Sequence, residues 1–351
     1  GGPPIVVYPP GTFWGYQDYG LNAVMKLHLH PGLEYLVGYD YQTFNGRDDV
    51  LLIAPTNEKV HAGIFQVRSN DELSERAKIA AGLRYTKTGG SEKTIWNVSG
   101  RFDISDALYV EANGGTSFLL PDASQLYGND PCCEIGNPNL KPEQSLNVNA
   151  SAGGQFDLGN GSLTLKATYF HRRITDLIDY DYNLPAYPEG FVVNVGTEVL
   201  TDGAEVQLGL ALSGGFSVSA SYTHAYIRNK GTSVQRDRNP KDYAKGALIY
   251  APADEPFGAN LALSWVGDAT RTATGFGKLN YGNYALVDVG AYAYLDGRER
   301  RHRVGVNVDN VFDREYATRG NLSAVGDNGV RFLYFERGAP RMIRFSYGVS
   351  F

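Results

Sequence analysis

The feature that most constrains the fold is an alternation of apolar and polar residues that recurs in segment after segment. In the last segment, one face carries Ile343, Phe345, Tyr347, Val349 and Phe351, and the other carries Met342, Arg344, Ser346, Gly348 and Ser350. The same period of two runs through 163–170, 284–295 and 304–309. Because successive side chains of a β-strand point to opposite faces, this period predicts strands with one apolar face.

Roughly fifteen such strands are predicted, most of them about ten residues long or longer. They lie at 19–30, 32–44, 60–69, 73–87, 92–104, 107–119, 143–156, 162–175, 191–212, 215–229, 242–251, 257–267, 283–295, 301–312 and 341–351. Strands of soluble proteins average about five or six residues, whereas a tilted strand needs about nine to eleven to cross a bilayer. Strand length therefore favours an all-β, transmembrane, antiparallel up-and-down β-barrel.

The connections alternate between short and long. Short turns are expected at 31–32, 105–106, 157–161, 213–214 and 296–300, and longer links at 45–59, 120–142, 176–190, 230–241, 268–282 and 313–340. Short turns on one side and long loops on the other are typical of an outer-membrane barrel, with the loops facing the cell exterior. The link at 88–91 is an exception, since it is short where an outer loop is expected.

Charge follows the same alternation. The rows assigned to lipid carry almost no Asp, Glu, Lys or Arg, while the opposite rows contain Lys166, Asp288, Asp309 and Arg344. An Arg or Lys on the lipid face at mid-bilayer costs about 2–4 kcal/mol, so its confinement to one row indicates a polar lumen. His171 falls in the lipid row, and we expect it at the outer interface.

Composition excludes several other classes. The 24 tyrosines suit a membrane interface, and the net charge of −6 argues against nucleic-acid binding. No apolar run is long enough for a membrane-spanning helix. The mean hydropathy of −0.30 is compatible with a barrel, because each strand is apolar on one face only.

The beginning of the sequence and its cysteines leave alternatives open. Gly1–Pro10 is a Pro-rich loop without a signal peptide, so either the chain was processed or the sequence starts within a longer protein. The adjacent Cys132 and Cys133 lie too close for a relaxed disulfide. They are expected to be loop thiols or halves of bridges to a segment outside this sequence, with a metal or redox role as the lesser alternative.

Several motifs, in order along the chain, resemble those of one family. They are Gly82-Leu83-Arg84-Tyr85, Ser117–Pro121 with Leu126-Tyr127-Gly128, Gly136–Ser145, Asn310–Tyr316 and the terminal Phe351. From about residue 32 onward, the chain resembles the TonB-dependent receptors of bacterial outer membranes. We interpret Gly136–Ser145 as a rigid entry into a strand and Asn310–Tyr316 as a strand exit, in preference to ligand contacts.

The resemblance implies a barrel of twenty-two strands around an N-terminal plug that carries the TonB box. This chain would supply the last fifteen or so strands, with 1–18 a remnant of an extracellular loop, 19–351 a partial barrel, and the plug absent. A complete barrel of fourteen or sixteen strands is the alternative, and it requires one strand to be misassigned. Phe345, Tyr347, Val349 and Phe351 resemble the signal read by the barrel-assembly machinery.

By the same resemblance, the protein is a multi-pass outer-membrane receptor for TonB-energised uptake of a scarce ligand. A ferric siderophore or similar metal chelate leads, because it is the commonest cargo of the family. Cobalamin, an oligosaccharide or an aromatic compound remains open. The candidate ligand contacts are Tyr127, Tyr180, Tyr182, Tyr187, Arg319 and Phe332. The expected partners are TonB through the missing plug, outer-membrane lipid and lipopolysaccharide, the assembly machinery and the small ligand.

A passive channel and an enzyme are the two alternative classes of function. A passive, porin-like diffusion channel would use the long loops to constrict a pore. An enzyme would need a nucleophile with a base in reach, and none of the six histidines sits in such an arrangement, so no enzyme, cofactor or resident metal is expected. The segment with Lys230, Arg236, Arg238 and Lys241 is predicted to be a solvated, mildly basic loop.

Overall fold

The computed structural model describes residues 11–49, 53–88, 91–130, 134–181, 191–273, 275–322 and 332–351. Its strands, in chain order, are β1 Trp14–His30, β2 Leu33–Asp48, β3 Ile53–Ser69, β4 Ala77–Thr88, β5 Ser91–Asp103, β6 Leu108–Leu119, β7 Asn129–Asp130, β8 Glu134–Ile135, β9 Glu143–Asp157, β10 Gly161–Thr175, β11 Ile178–Asp181, β12 Phe191–Asn194, β13 Val199–Leu212, β14 Phe216–Asn229, β15 Asp242–Tyr250, β16 Phe257–Ala273, β17 Gly277–Tyr294, β18 His302–Asp309, β19 Ala317–Leu322, β20 Leu333–Arg337 and β21 Met342–Val349. Among these described residues, one α-helix, α1, spans Ala123–Tyr127.

Fifteen of these strands form one antiparallel sheet. Its order is β1-β2-β3-β4-β5-β6-β9-β10-β13-β14-β15-β16-β17-β18-β21, so each strand pairs with the next long strand along the chain. The remaining six form three two-stranded hairpins, β7–β8, β11–β12 and β19–β20. This is the predicted up-and-down meander with the predicted number of strands. Within the described part of the chain, β1 and β21 are the two edges of the sheet and do not pair with each other.

Several boundaries differ from the prediction. The segment predicted as one strand at 191–212 is divided into β12 and β13. Most of the link predicted at 268–282 is strand, because β16 runs to Ala273 and β17 starts at Gly277. β1 begins at Trp14, before the predicted start at residue 19.

One face of the sheet is apolar in register across strands. A single cross-strand row contains Ala152, Ala167, Val206, Tyr222, Ala244, Trp265 and Ala285. Apolar side chains on this face are exposed, with Phe345 at 82% and Ile79 at 59%. A face of this kind is stable only against an apolar solvent, so it is the outward, lipid-facing side.

The opposite face is polar and faces the lumen. One of its rows contains Lys166, Gln207, Ser221, Lys245 and Ser264. Ion pairs join its strands, as between Lys166 and Glu111 at 2.5 Å and between Arg84 and Asp40 at 2.9 Å. Arg344 pairs with Asp309 at 2.9 Å, so these charges lie on the predicted lumen side.

The turns and loops are sorted between two edges, which we call the turn edge and the loop edge. The turn edge contains short links such as 158–160 and 213–215. Gly215 shows why glycine is needed there, since its φ is +80° and a Cβ would collide with the backbone of Pro252. The loop edge carries the three hairpins, α1 and the segment 230–241. Among the described residues, no helix has the length and apolar character required to cross a membrane.

Candidate ligand-binding vestibule at the loop edge

The segment 230–241, which we call the bridging loop, is fastened to the elements on both sides of it. Toward one side, the Arg236 guanidinium contacts the Asp179 carboxylate of the β11–β12 hairpin at 2.8 Å. Toward the other, Asp237 accepts hydrogen bonds from the Thr270 hydroxyl and the Thr272 N–H, each at 2.5 Å. The bridging loop thus holds the β11–β12 hairpin and the end of β16 in one assembly.

A polar cavity of about 410 Å³ lies in this assembly. Its charged lining consists of Arg236, Arg238, Arg271, Asp179 and Asp237. Tyr180, Asn229, Thr232, Gln235 and Thr272 supply further polar groups. Arg236 also borders a second cavity of about 630 Å³ on the lumen side, whose lining includes Asn149, Phe170, Arg172, Glu205 and Thr223. The two cavities share this side chain, so Arg236 lies between the polar cavity and the cavity on the lumen side.

The two carboxylates of the polar cavity are engaged by neighbouring groups. Burial raises the pKa of Asp237, but hydrogen bonds from Thr270 and Thr272, together with the charge of Arg271, lower it more, so its net pKa lies below the ordinary 3.8. Asp179 receives the guanidinium of Arg236, whose side chain is only 21% exposed. Both carboxylates are therefore occupied in holding the loop.

Arg238 is placed differently. Its backbone has a φ of 67° and its N–H donates to the Thr270 carbonyl at 2.8 Å, which fixes the chain there. Within the described part of the chain, no hydrogen bond or ion pair engages its exposed guanidinium. Tyr281 interacts electrostatically with Arg238, Arg271 and Arg319. A cluster of arginines with one uncommitted guanidinium can receive an anion through charge-assisted hydrogen bonds.

The candidate ligand contacts predicted from the sequence are only partly brought together. Tyr180 lines the polar cavity, and Arg319 lies near it, beside Tyr281, with Glu336 as an ion-pair partner at 4.0 Å. Tyr127 ends α1 and Phe332 contacts Tyr334 with ring centroids 6.0 Å apart, and neither lines this cavity. Tyr182 and Tyr187 lie outside the described residues, as do Cys132 and Cys133.

The sequence interpretation missed Asp237, Arg271 and Arg172, and the prediction that Arg236 is solvated was wrong. The reason is the ion pair with Asp179, which lies 57 positions away in the sequence. Lys230 is 61% exposed, as a solvated loop requires. The available signal was the run Arg236-Asp237-Arg238, in which two cations flank an acidic residue. Across the described ranges, no group of three or more His, Cys, Asp or Glu is arranged to hold a metal ion.

The Gly136–Ser145 motif has the structural role that was predicted. The Asn137 N–H donates to the Gln125 carbonyl of α1 at 2.7 Å, and the Asn137 side-chain amide donates to the Val192 carbonyl at 3.0 Å. The Lys141 N–H donates to the Asn194 side chain at 2.8 Å. The motif therefore joins α1 to the β11–β12 hairpin just before β9 begins.

The remaining predicted positions lie on the outward face. Phe345, Tyr347 and Val349 alternate along β21, and Phe351 follows it at the turn edge. His171 lies near the loop edge on β10, with its Nδ1 2.7 Å from the Asp202 carboxylate. This is the end of the sheet at which the outer interface was predicted.

The family of the chain follows from its match to a protein-family model. The family model "TonB dependent receptor-like, beta-barrel" matches residues 5–311. The chain belongs to the TonB-dependent receptor family. Membership places this receptor barrel in the bacterial outer membrane, with its loop edge toward the exterior.

Individual relatives support the same fold. Over 230 residues, the receptor is 30% identical to the vitamin B12 transporter BtuB of Photobacterium profundum. This alignment covers 64% of the present chain and 34% of BtuB. A mutant ferric enterobactin receptor of Pseudomonas aeruginosa, solved in complex with enterobactin, superimposes with a TM-score of 0.74 at 16% identity, covering 96% of this chain and 54% of that one. The copper transporter OprC gives 0.73 at 15% identity, with 96% and 56% covered. The chain thus spans about half the length of the solved relatives.

Proposed function

We propose that the receptor takes up an anionic metal chelate, of which a ferric siderophore is the leading case, with energy supplied through TonB. The observation that carries the proposal is the arginine-lined cavity at the loop edge. Arg236, Arg238 and Arg271 face two carboxylates there, so one positive charge is in excess. Because both carboxylates are engaged by the fold, the excess charge is available to a ligand at Arg238.

Energised uptake requires parts beyond the described sheet. The fifteen strands leave β1 and β21 as edges, and an unpaired strand edge is unfavourable in lipid. We propose that further strands close a barrel of twenty-two and that a plug with a TonB box fills its lumen. The lumen's ion-paired polar surface, as at Lys166 and Glu111, is suited to contact with such a globular plug.

The decisive experiment is a binding titration on the full receptor with radioiron-labelled ferric enterobactin as the probe. Arg238→Gln removes the uncommitted guanidinium and should weaken binding about tenfold or more, the value of one lost charged hydrogen bond. Arg47→Gln is the matched control, because Arg47 is also near the loop edge but is paired with Asp49. Equal affinities for the wild type and Arg238→Gln would refute the role of the cavity.

Cobalamin is the second candidate ligand, and the similarity to BtuB favours it. A parallel titration with radiocobalt-labelled cyanocobalamin distinguishes cobalamin from the ferric chelate as the ligand. Cobalamin that binds at nanomolar concentration while ferric enterobactin does not would replace the chelate proposal. A passive channel would show neither saturable binding nor any loss of uptake when the proton gradient is collapsed.

We also propose that Phe345, Tyr347, Val349 and Phe351 form the assembly signal of the barrel. Support comes from their exposure on the outward face of β21, with Tyr347 at 62%. Phe351→Ser should lower the amount of receptor in the outer membrane, measured by immunoblotting of membrane fractions. Ser350→Ala, a change at the adjacent position, should leave that amount unchanged.

A further inference from the structure

A second polar cavity lies deeper in the lumen, nearer to the turn edge than the bridging loop. It has a volume of about 530 Å³ and lies on the lumen face of β13, β14, β15 and β16, and we call it the lower lumen cavity. Most of its polar lining is small or neutral, since Gln207, Ser221 and Ser264 form one cross-strand row with Lys245. Its charged lining is one cation, Lys245, and one carboxylate, Asp288.

Lys245 has an uncommitted charge in the lower lumen cavity. Its side chain is exposed, and within the described ranges its ammonium has no hydrogen-bond or ion-pair partner. The Asp288 carboxylate accepts instead from the Asn310 N–H at 2.7 Å. Lys166, which lies in the same cross-strand row, is by contrast paired with Glu111 at 2.5 Å. A free ammonium in a polar cavity can receive an anionic group through charge-assisted hydrogen bonds.

The cavity of about 630 Å³ beside Arg236, which we call the upper lumen cavity, contains a second cation of this kind. The exposed Arg172 guanidinium lies 5.7 Å from the ring centroid of Phe170, and no described residue forms an ion pair or hydrogen bond with it. The Phe170 ring covers Gly203, where a Cβ would collide with it. Glycine therefore lets the ring lie against the wall, which leaves Arg172 open to the cavity.

The upper and lower lumen cavities adjoin each other. Glu205 and Thr223 border the upper one, and Gln207 and Ser221 border the lower one. Each of these pairs is separated by two positions along β13 or β14, so its members are neighbours on one face of the strand. Hydrogen bonds to Glu205 join the two sets, from the Gln207 amide at 2.5 Å and from the Thr223 hydroxyl at 2.9 Å.

Three cations without ion-pair partners therefore follow one another from the loop edge toward the turn edge. Arg238 lies in the polar cavity, Arg172 in the upper lumen cavity and Lys245 in the lower one. The Glu205 carboxylate lies between the last two and repels an anion, so the ligand does not settle there. Passage through a pore needs several sites, each weak enough to release what it binds.

We propose that Lys245 and the lower lumen cavity form a relay site for the anionic ligand during its passage through the lumen. The ligand reaches it from the polar cavity by way of Arg172 and leaves toward the turn edge. The volume of the cavity is within the range of small-molecule sites, about 300–1,000 Å³. This relay rests on the proposed uptake of an anionic chelate. Because Lys245 acts after the ligand has bound, it determines the rate of transfer and not the affinity.

The first test compares binding with uptake in cells whose other ferric enterobactin receptors are deleted. Radioiron-labelled ferric enterobactin is the probe, with affinity measured after collapse of the proton gradient and the maximal uptake rate measured with the gradient present. Lys245→Gln should lower the maximal rate about tenfold and change the affinity less than about twofold. Lys245→Arg should restore the rate, because it restores the charge.

The matched control is the double variant Arg84→Gln/Asp40→Asn. It removes a lumen cation together with its partner, which lies 2.9 Å away, and should leave both affinity and maximal rate unchanged. Every rate is divided by the amount of receptor in the outer membrane, measured by immunoblotting. A variant that assembles poorly is thereby distinguished from one that transports slowly.

A second measurement does not depend on the transported ligand. A cysteine replaces Ala247, which also lines the lower lumen cavity, in a variant in which Cys132 and Cys133 are replaced by Ser. In energised cells, this cysteine is treated with an anionic or a cationic methanethiosulfonate of similar size. The ratio of the anionic to the cationic reaction rate should be about threefold or more higher than in the same variant with Lys245→Gln.

The outcomes separate the relay from the proposed ligand. The relay is overturned if Lys245→Gln transports at the wild-type rate, if Lys245→Arg is as slow as Lys245→Gln, or if Lys245→Gln loses affinity. It is also overturned if the ratio of reagent rates does not depend on Lys245, or if neither reagent reacts. Failure of the wild type to bind ferric enterobactin would refute the proposed ligand, and the cysteine measurement would then decide the relay alone.

Discussion

Asn310 combines an unusual backbone conformation with a set of hydrogen bonds that few other side chains could make. Its φ is 50° and it is 4% exposed. Its side-chain amide donates to the Arg314 carbonyl at 3.0 Å, and its oxygen accepts from the Arg314 N–H at 2.8 Å. The left-handed conformation suits Asn better than most residues. Asn310 therefore ends β18 and starts the outer segment that leads to β19.

Two substitutions of Asn310 separate the contribution of its left-handed backbone conformation from that of its side-chain hydrogen bonds. Asn310→Gly keeps the backbone conformation and loses the side-chain hydrogen bonds, while Asn310→Ala loses both. We expect Ala to destabilise the receptor by about 1 kcal/mol more than Gly, the cost of a left-handed residue with a Cβ. Urea unfolding in lipid bilayers measures the difference. If Ala and Gly cost the same, the conformation does not contribute.

Asp237 makes the bridging loop sensitive to acid. Because hydrogen bonds lower its pKa below 3.8 in the folded state, its stabilising effect is complete above that value. The effect is lost as the pH falls through the folded pKa. The loop can be followed with a nitroxide spin label on a cysteine that replaces Val234, in a variant in which Cys132 and Cys133 are replaced by Ser. We expect this label to remain immobile from pH 7 to about pH 4 and to gain mobility below that range.

The same label tests the residue directly. Asp237→Ala should mobilise the nitroxide already at pH 7, because the Thr270 and Thr272 donors lose their acceptor. Asp254→Ala in a short turn is the control and should leave the spectrum unchanged. A rigid label in Asp237→Ala would show that other contacts, such as Arg236 with Asp179, hold the bridging loop alone.

At the level of elements, the sequence predicted the fifteen strands because lipid on one side and a polar lumen on the other impose the alternation. That constraint ends where a strand leaves the membrane. β16 and β17 extend beyond that point to Ala273 and Gly277, where Ala269 and Ala273 are buried by protein and the alternation fades. The polar cavity could not be predicted from the sequence, because its contacts join the β11–β12 hairpin to the bridging loop across a long sequence separation.

The β11–β12 hairpin depends on Asn194 for its attachment. The side chain of Asn194 accepts from the Lys141 N–H at 2.8 Å and donates to the Lys141 and Asp176 carbonyls at 2.9 and 2.8 Å. Asn194→Ala should weaken the attachment of the hairpin by about 1–3 kcal/mol, because the Lys141 N–H and the Lys141 and Asp176 carbonyls lose their hydrogen-bond partner. Faster proteolysis within 176–198 would report this, with Asn160→Ala in a short turn as the control. Unchanged proteolysis would mean that the buried Val192 is sufficient.

For the whole molecule, the two faces of the sheet divide between lipid and lumen along every long strand. Aromatic side chains mark both ends of the outward face. Phe216, Tyr250 and Phe257 lie together at the turn edge, with neighbouring ring centroids 4.5 and 6.0 Å apart. Tyr169 and Tyr222 lie near the loop edge at the other end, where their hydroxyls donate to Asp202 and Asp242. Rings at two levels with aliphatic rows between them are the arrangement of a barrel that spans a bilayer.

Two adjacent positions on β16 test this division of faces. Leu263 is outward, between Gly246 and Val287, whereas Ala262 is inward, opposite Asp288. Leu263→Arg should lower the free energy of unfolding in bilayers by about 2–4 kcal/mol, because it places a charge in the hydrocarbon. Ala262→Arg should change it by less than about 1 kcal/mol, since Asp288 offers a partner in a polar lumen. Equal losses would show that both faces meet the same environment, and a reversed order would exchange lipid and lumen.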